Sequence, residues 1–199
     1  METTKVPMKE RITSYIEDLS KGNDRAVLAN LRRSLTQESW TEIDINLLRK
    51  LGPFFNECIY KREKDAVWLT LAYYALWHSK SGLKKYQKGT PLGHVLQQIA
   101  ILTKRHKTKN NQQEMSIRRI LSADEVIMRK MLPGLIGQAA SKNLPIDWAD
   151  MYQAIKYWGE GASISDNYQH PARKWALDYS KTFSPETSSS ILSTEENVA

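Results

Sequence analysis

The chain has 199 residues and a net charge of +7; 41% of its residues are hydrophobic and six are tryptophan. That content excludes wholesale disorder and is enough for one domain or two small ones. A single cysteine, Cys58, excludes an internal disulfide and a multi-cysteine zinc site and suits a reducing cytosol, while the positive balance favours an acidic partner, either nucleic acid or an anionic membrane.

Residues 1–20 carry Glu10, Glu17 and Asp18 without an apolar run, so no signal peptide is expected. No window of 18 apolar residues predicts a membrane span. Met8, Ile12, Tyr15, Ile16 and Leu19 recur at helical spacing and predict a short amphipathic helix ending before Gly22. In the next helix, capped by Asn23 or Asp24, Val27, Leu28, Leu31 and Leu35 share one stripe. Arg25, Arg32 and Arg33 gather on a neighbouring arc around small Ala29. Such guanidinium groups can reach successive phosphates bidentately; equally, they can be the solvated face of an ordinary core helix.

Ile43, Leu47, Leu48 and Leu51 predict a helix over Trp40–Leu51, stopped by Gly52-Pro53. Asp65–His78 is apolar on almost every side, the pattern of a buried central helix. Its Trp68, Tyr73, Tyr74 and Trp77 could stack on bases, but this apolar density favours core packing. Ser79–Thr90 has no periodicity and reads as an exposed loop with Lys80, Lys84, Lys85 and Lys88. Pro91 opens a helix that buries Leu92, Val95, Leu96, Ile99 and Leu102. It runs out into a polar, basic stretch over 104–113 that reads as a hinge.

Met115–Leu121 turns Ile117, Ile120 and Leu121 inward and presents Arg118 and Arg119. Asp124 caps a helix over Glu125–Ala140, with Val126, Ile127, Met131, Leu132, Leu135, Ile136 and Ala139 as its apolar pattern; Pro133-Gly134 should kink or interrupt it. Asp147 caps Trp148–Trp158, which Gly159 ends. A last helix spans Pro171–Phe183 through Trp175, Leu177 and Tyr179. The expected fold is all-α: a bundle over 1–108, a second over 109–183, a basic hinge between them, and a disordered tail over 184–199.

Charge is uneven along the chain. From Ser79 to Arg119 there are ten lysines and arginines, among them Lys104, Arg105, Lys107 and Lys109, against one acid, Glu114. That window is +9, more than the whole chain. Two basic loops bracketing a helix and leading to an Arg-Arg pair suit a groove along a sugar-phosphate backbone, each contact releasing a counterion. No phosphate loop, zinc helix or nucleophile elbow is present. The acidic pairs Glu63/Asp65, Asp124/Glu125 and Asp147/Asp150 could hold a nuclease metal, but at helix starts they answer the helix dipole. No cofactor or catalytic residue is expected.

The run Leu19-Ser20-Lys21-Gly22-Asn23-Asp24-Arg25-Ala26-Val27-Leu28-Ala29-Asn30-Leu31-Arg32-Arg33 resembles the N-terminal signature of the CasB family, the small subunit of the type I-E CRISPR surveillance complex Cascade. Gly89–Leu96, Ile117–Asp124, Pro145–Trp148 and Trp158 resemble later landmarks of that family in the same order, so the resemblance covers roughly residues 10–160. It implies a two-bundle helical protein without enzymatic activity, cytoplasmic, whose partners are other Cascade subunits, a second copy head to tail, crRNA and target DNA. Arg25, Arg32, Arg33, Arg118 and Arg119 match the family's basic positions; Lys84, Lys85 and Lys88 lie in a loop that is often basic there. His94 stands where some members have Arg, and Gly134–Gln138 where members often show Leu-Arg-Arg-Leu. Tyr168–Ala199 has no counterpart in the resemblance. The competing readings are a stand-alone helical DNA-binding regulator and a metal-dependent nuclease.

Overall fold

The structure is a computed structural model that describes residues 6–21, 24–83, 87–104, 115, 118–158 and 170–181. Its helices are α1 (Met8–Ser20), α2 (Arg25–Arg33), α3 (Ile45–Phe55), α4 (Lys61–Lys80), α5 (Leu92–Lys104), α6 (Glu125–Ser141), α7 (Trp148–Tyr157) and α8 (Pro171–Ser180). Residues 118–121 are also helical, and 3-10 turns at Ser34–Thr36 and Trp40–Glu42 link α2 to α3. No strand is present among the described residues; the one β-type pairing there is an isolated parallel bridge between Thr90 and Ile146.

Helix α4 is the axis. Every residue from Asp65 to Ala75, and Trp77, is buried. A helix that is apolar all round has no solvent face to offer and must be surrounded; α1, α2, α3, α6 and α7 all pack on it. Its aromatic rings are core. Trp68 Nε1 donates to Ser34 Oγ (2.7 Å) and Trp77 Nε1 to the Leu144 carbonyl (2.9 Å), so each indole satisfies its one polar group inside. The buried side chains from Ile12 to Trp175 form one contiguous cluster. The expected hinge lies almost wholly outside the described residues, as does the 184–199 tail.

The helix starts follow local chemistry. Asp44, Asp124 and Asp147 accept hydrogen bonds from the free N–H groups of α3, α6 and α7 (2.7–3.3 Å). His170 caps α8 through Nδ1 and Pro171 occupies its first position. Asp24 precedes α2 but its carboxylate does not cap; it faces Lys50 Nζ at 3.5 Å.

Several expectations are corrected. Gly52-Pro53 does not stop α3, which continues through Pro53 to bury Phe54 and Phe55. The proline costs one backbone bond but its fixed φ is helical, and Arg11 Nη2 donates to the Pro53 carbonyl (3.3 Å). Trp40–Glu42 is a separate 3-10 turn. Pro133-Gly134 likewise does not interrupt α6. The buried face of α6 is Met128, Leu132, Leu135, Ile136 and Ala139, and Val126 is 60% exposed. In α8 it is Ala172, Trp175 and Asp178 that turn inward, leaving Leu177 exposed.

Two close approaches explain the glycines before and within α5. A Cβ on Gly89 would collide with the Ile146 backbone, where Asp147 N donates to the Thr90 carbonyl (2.9 Å). One on Gly93 would strike the Trp175 carbonyl of α8 and come within 2.7 Å of Asp178 Cβ. Asn143, at φ 53°, ends α6 in the left-handed region; Leu144 N donates back to Ala139 O, and Asn143 Oδ1 accepts from Gly82 N (2.7 Å).

Candidate nucleic-acid interface

Helix α2 buries Val27 and Leu31, with Ser34 just beyond on the same side. At 100° per residue the opposite face carries Arg25, Arg32 and Arg33, and all three are exposed. Arg33 Nε donates weakly to the Ala29 carbonyl (3.4 Å). Neither Arg25 nor Arg32 has a carboxylate partner among the described residues. Two of the three sit in the last turn, where cations also offset the helix dipole.

Arg118 and Arg119 are exposed on the 118–121 helix, held from within by buried Ile120. Lys88 is exposed in the turn that leads to Thr90. Lys84, Lys85, Arg105 and Lys107 lie outside the described residues; Lys104 ends α5, and its side chain is likewise outside them.

Both arginine groups are anchored to the first turns of α4. The end of α2 is fastened there by the bond from Trp68 Nε1 to Ser34. The 118–121 helix leads into Ala123, whose carbonyl accepts from Trp158 Nε1 (3.0 Å), and the Trp158 carbonyl in turn accepts from Arg62 Nη2. Arg62 and Trp68 are about 9 Å apart along the helix axis by rise alone.

Sequence reading missed Arg49 and Lys50. The Lys50–Asp24 contact sets the later turns of α3 beside the first turn of α2, and Arg49 is exposed next to it. Only that tertiary contact relates them to Arg25, although the polar pair between Leu48 and Leu51 was a visible signal for an outward face.

The acidic pairs are committed elsewhere. Asp124 and Asp147 are caps. Glu63 accepts from Ile59 N and pairs with Lys156 (2.6 Å). Burial alone would raise its pKa, but the Lys156 contact and backbone N–H donors outweigh that and hold it below the ordinary value. Asp65 lies 3.6 Å from Arg129; burial dominates there and raises its pKa despite the guanidinium. Glu125 pairs with Arg129 at 3.0 Å, and Asp150 with Lys174. No group of three metal-ligating side chains occurs among the described residues. Burial, with Glu63 nearby, pushes the Cys58 thiol up to about 11, the opposite of what a nucleophile needs. His94 Nε2 faces Asp178 at 3.8 Å across the α5–α8 contact.

Residues 27–179 match the family model of the CRISPR-associated protein Cse2. Among solved structures, the chain is similar to a Cse2-family protein from Thermus thermophilus (21% identity over 86% of this chain and 96% of that one, TM-score 0.65). It is also similar to CasB of M. ruber (20%, 94% and 99%, TM-score 0.65) and to a chain of a CRISPR RNA-guided surveillance complex (19%, 92% and 97%, TM-score 0.68). At these identities the structural likeness speaks for the fold. No curated protein sequence matches significantly. The family match continues past Gly159 and takes in α8, which the motif resemblance had left out. Matched over most of its length, the chain belongs to the Cse2 (CasB) family of CRISPR-associated proteins.

Proposed function

We propose that this protein is the small subunit of a type I-E Cascade surveillance complex, assembling with the other Cascade subunits, crRNA and target DNA, with a second copy of itself placed head to tail. Membership of the Cse2 family carries this reading. Its part is a scaffold with a cationic surface, not chemistry. Arg25, Arg32 and Arg33 on α2, with Arg118 and Arg119, contact phosphates. Lys84, Lys85, Lys88, Lys104, Arg105 and Lys107 are assigned the same role, and Arg49 and Lys50 of α3 are added to them.

Strand exchange in an R-loop is nearly balanced, because the RNA–DNA heteroduplex is about as stable as the duplex it replaces. A handful of backbone contacts to the displaced strand or the heteroduplex is therefore enough to tip it. Guide pairing reads sequence; this subunit reads charge. No helix among the described residues is long and apolar enough to cross a membrane; the cytoplasmic place of action belongs to the proposed role in the complex.

Reconstitution of the complex with and without the chain tests the assignment. Target binding should weaken without it and recover when it is added. With Arg32→Glu and Arg33→Glu together, the complex should still assemble but hold target DNA about tenfold or more weakly, with a shallower salt dependence. Unchanged affinity in that double variant overturns the α2 site.

A further inference from the structure

Among the described residues, Tyr60 is the only exposed aromatic side chain, at 67%, and Ile59 before it is 82% exposed. An exposed apolar side chain by itself means little, but this pair is held in place. On one side Cys58 is buried, its Sγ against the Phe54 carbonyl (3.3 Å). On the other, Glu63 reaches back to accept from Ile59 N (3.0 Å) and is itself tied to Lys156 of α7 (2.6 Å). Tyr60 is the N-cap of α4, so it stands at the start of the turns that anchor both arginine groups. Lys64 and Trp68 follow it at four-residue intervals on one side of that helix. Trp68 Nε1 holds Ser34, one residue past Arg33, about 12 Å from Tyr60 by helical rise. That distance is the rise of about three to four stacked nucleotides. From the same first turn, Arg62 Nη2 donates to the Trp158 carbonyl, and Trp158 Nε1 donates to Ala123, four residues past Arg119.

Charge around the pair favours a polyanion. Lys61 is exposed beside Tyr60, and Lys64 Nζ lies 4.9 Å from the centre of the Trp40 ring; neither has a carboxylate partner among the described residues. The neighbouring acids are engaged, Glu57 with Arg11, Glu63 with Lys156 and Asp65 with Arg129. The core of a protein contact is depleted of lysine, whereas a nucleotide offers a flat face to the ring and a phosphate to the ammonium group. We propose that Tyr60, with Ile59 beside it, is a stacking platform for an unpaired base, so that this surface takes a single strand in preference to a closed duplex. The proposal rests on the nucleic-acid-binding reading above and names the form of nucleic acid it takes. Every base has a π-face, so the contact adds affinity without reading sequence. In a duplex those faces are covered by the neighbouring base pairs and the ring has nothing to stack on. Arginine–phosphate contacts do not discriminate between the two forms; Tyr60 does.

Fluorescence anisotropy on the full chain, with a 30-nucleotide single strand and with its duplex, tests this. Tyr60→Ala should bind the single strand about fivefold or more weakly and the duplex as wild type does. Tyr60→Phe should keep wild-type affinity, because the ring and not the hydroxyl makes the contact. The loss in Tyr60→Ala should be the same at every salt concentration, since no phosphate contact goes with it; Arg32→Glu with Arg33→Glu should instead change the salt slope. A strand carrying 5-iododeoxyuridine should photo-cross-link to Tyr60, as read by mass spectrometry. The ring is exposed, so both Tyr60 variants should melt with the wild type. Unchanged single-strand affinity in Tyr60→Ala, or an equal loss on the duplex, overturns the proposal. So does a Tyr60→Ala chain that binds DNA normally but no longer enters the complex, which would make the pair a contact with another subunit. A wild-type chain that binds neither strand nor duplex strikes the nucleic-acid reading itself, and the platform falls with it.

Discussion

Gly93 has no room for a side chain: α8 lies against its Cα, with the Trp175 carbonyl and Asp178 Cβ where a methyl group would go. Gly93→Ala must push α5 and α8 apart or bend one of them, and overpacking of this kind costs about 1–3 kcal/mol. Urea unfolding of the variant should show that loss without a change in helix content at zero denaturant. Titratable residues give two opposite trends. Glu63, held below the usual value of 4.5, stabilises the fold once ionised, so its benefit is complete above that value and is lost as pH falls through the lower folded value. Asp65, raised above 3.8 by burial, binds its proton more tightly when folded, so its contribution declines as pH rises through that window. Stability measured from pH 3 to 7 should show Glu63→Gln losing ground to wild type as pH rises, and Asp65→Asn gaining it.

At the scale of elements, α2 and α8 behave as opposites. Helix α2 carries its candidate site on the side away from the core, so reversing Arg32 and Arg33 touches no buried contact and separates binding from folding. Helix α8 covers Trp158, whose ring centroid lies 4.9 Å from that of Trp175, and covers the α5 surface at Gly93. A chain truncated after Trp158 uncovers both. It should be poorly soluble or melt at a clearly lower temperature than the full chain, as followed by circular dichroism. A truncated chain of unchanged stability would make α8 an ornament to the fold.

For the molecule as a whole, α4 belongs to both halves. It packs on α1, α2 and α3 from one part of the chain and on α6 and α7 from the other, and Arg129 of α6 donates to the Glu38 carbonyl (3.2 Å) while facing Asp65. Shared burial couples unfolding, so calorimetry should give one transition with matching calorimetric and van't Hoff enthalpies. Two resolved transitions would instead favour independent bundles divided near residue 108.

The residues that announce themselves locally were readable before any coordinates. Helical spacing located α1, α2, α4, α5 and α7; Asp124 and Asp147 were legible as caps because a cap bonds within three residues of itself; the uninterrupted apolarity of Asp65–His78 marked the central helix; and ordered motifs pointed to the family. Where two distant segments meet, the pattern was silent or misleading. Pro53 and Pro133 looked like breaks, yet each helix continues because the apolar residues beyond it have a core to enter. The buried faces of α6 and α8 were mostly legible, through Leu132, Leu135, Ile136, Ala139 and Trp175, but Val126 and Leu177 are exposed because hydrophobicity alone does not say where an apolar stripe ends. Gly89 and Gly93 stood in a stretch that resembled a family landmark, but the physical need for glycine there, the close approach of Ile146 and Trp175, is visible only in the packing. That Lys50 of α3 meets Asp24 at the start of α2 was equally hidden, since which surfaces adjoin is settled by packing between elements and is written in no single stretch of chain.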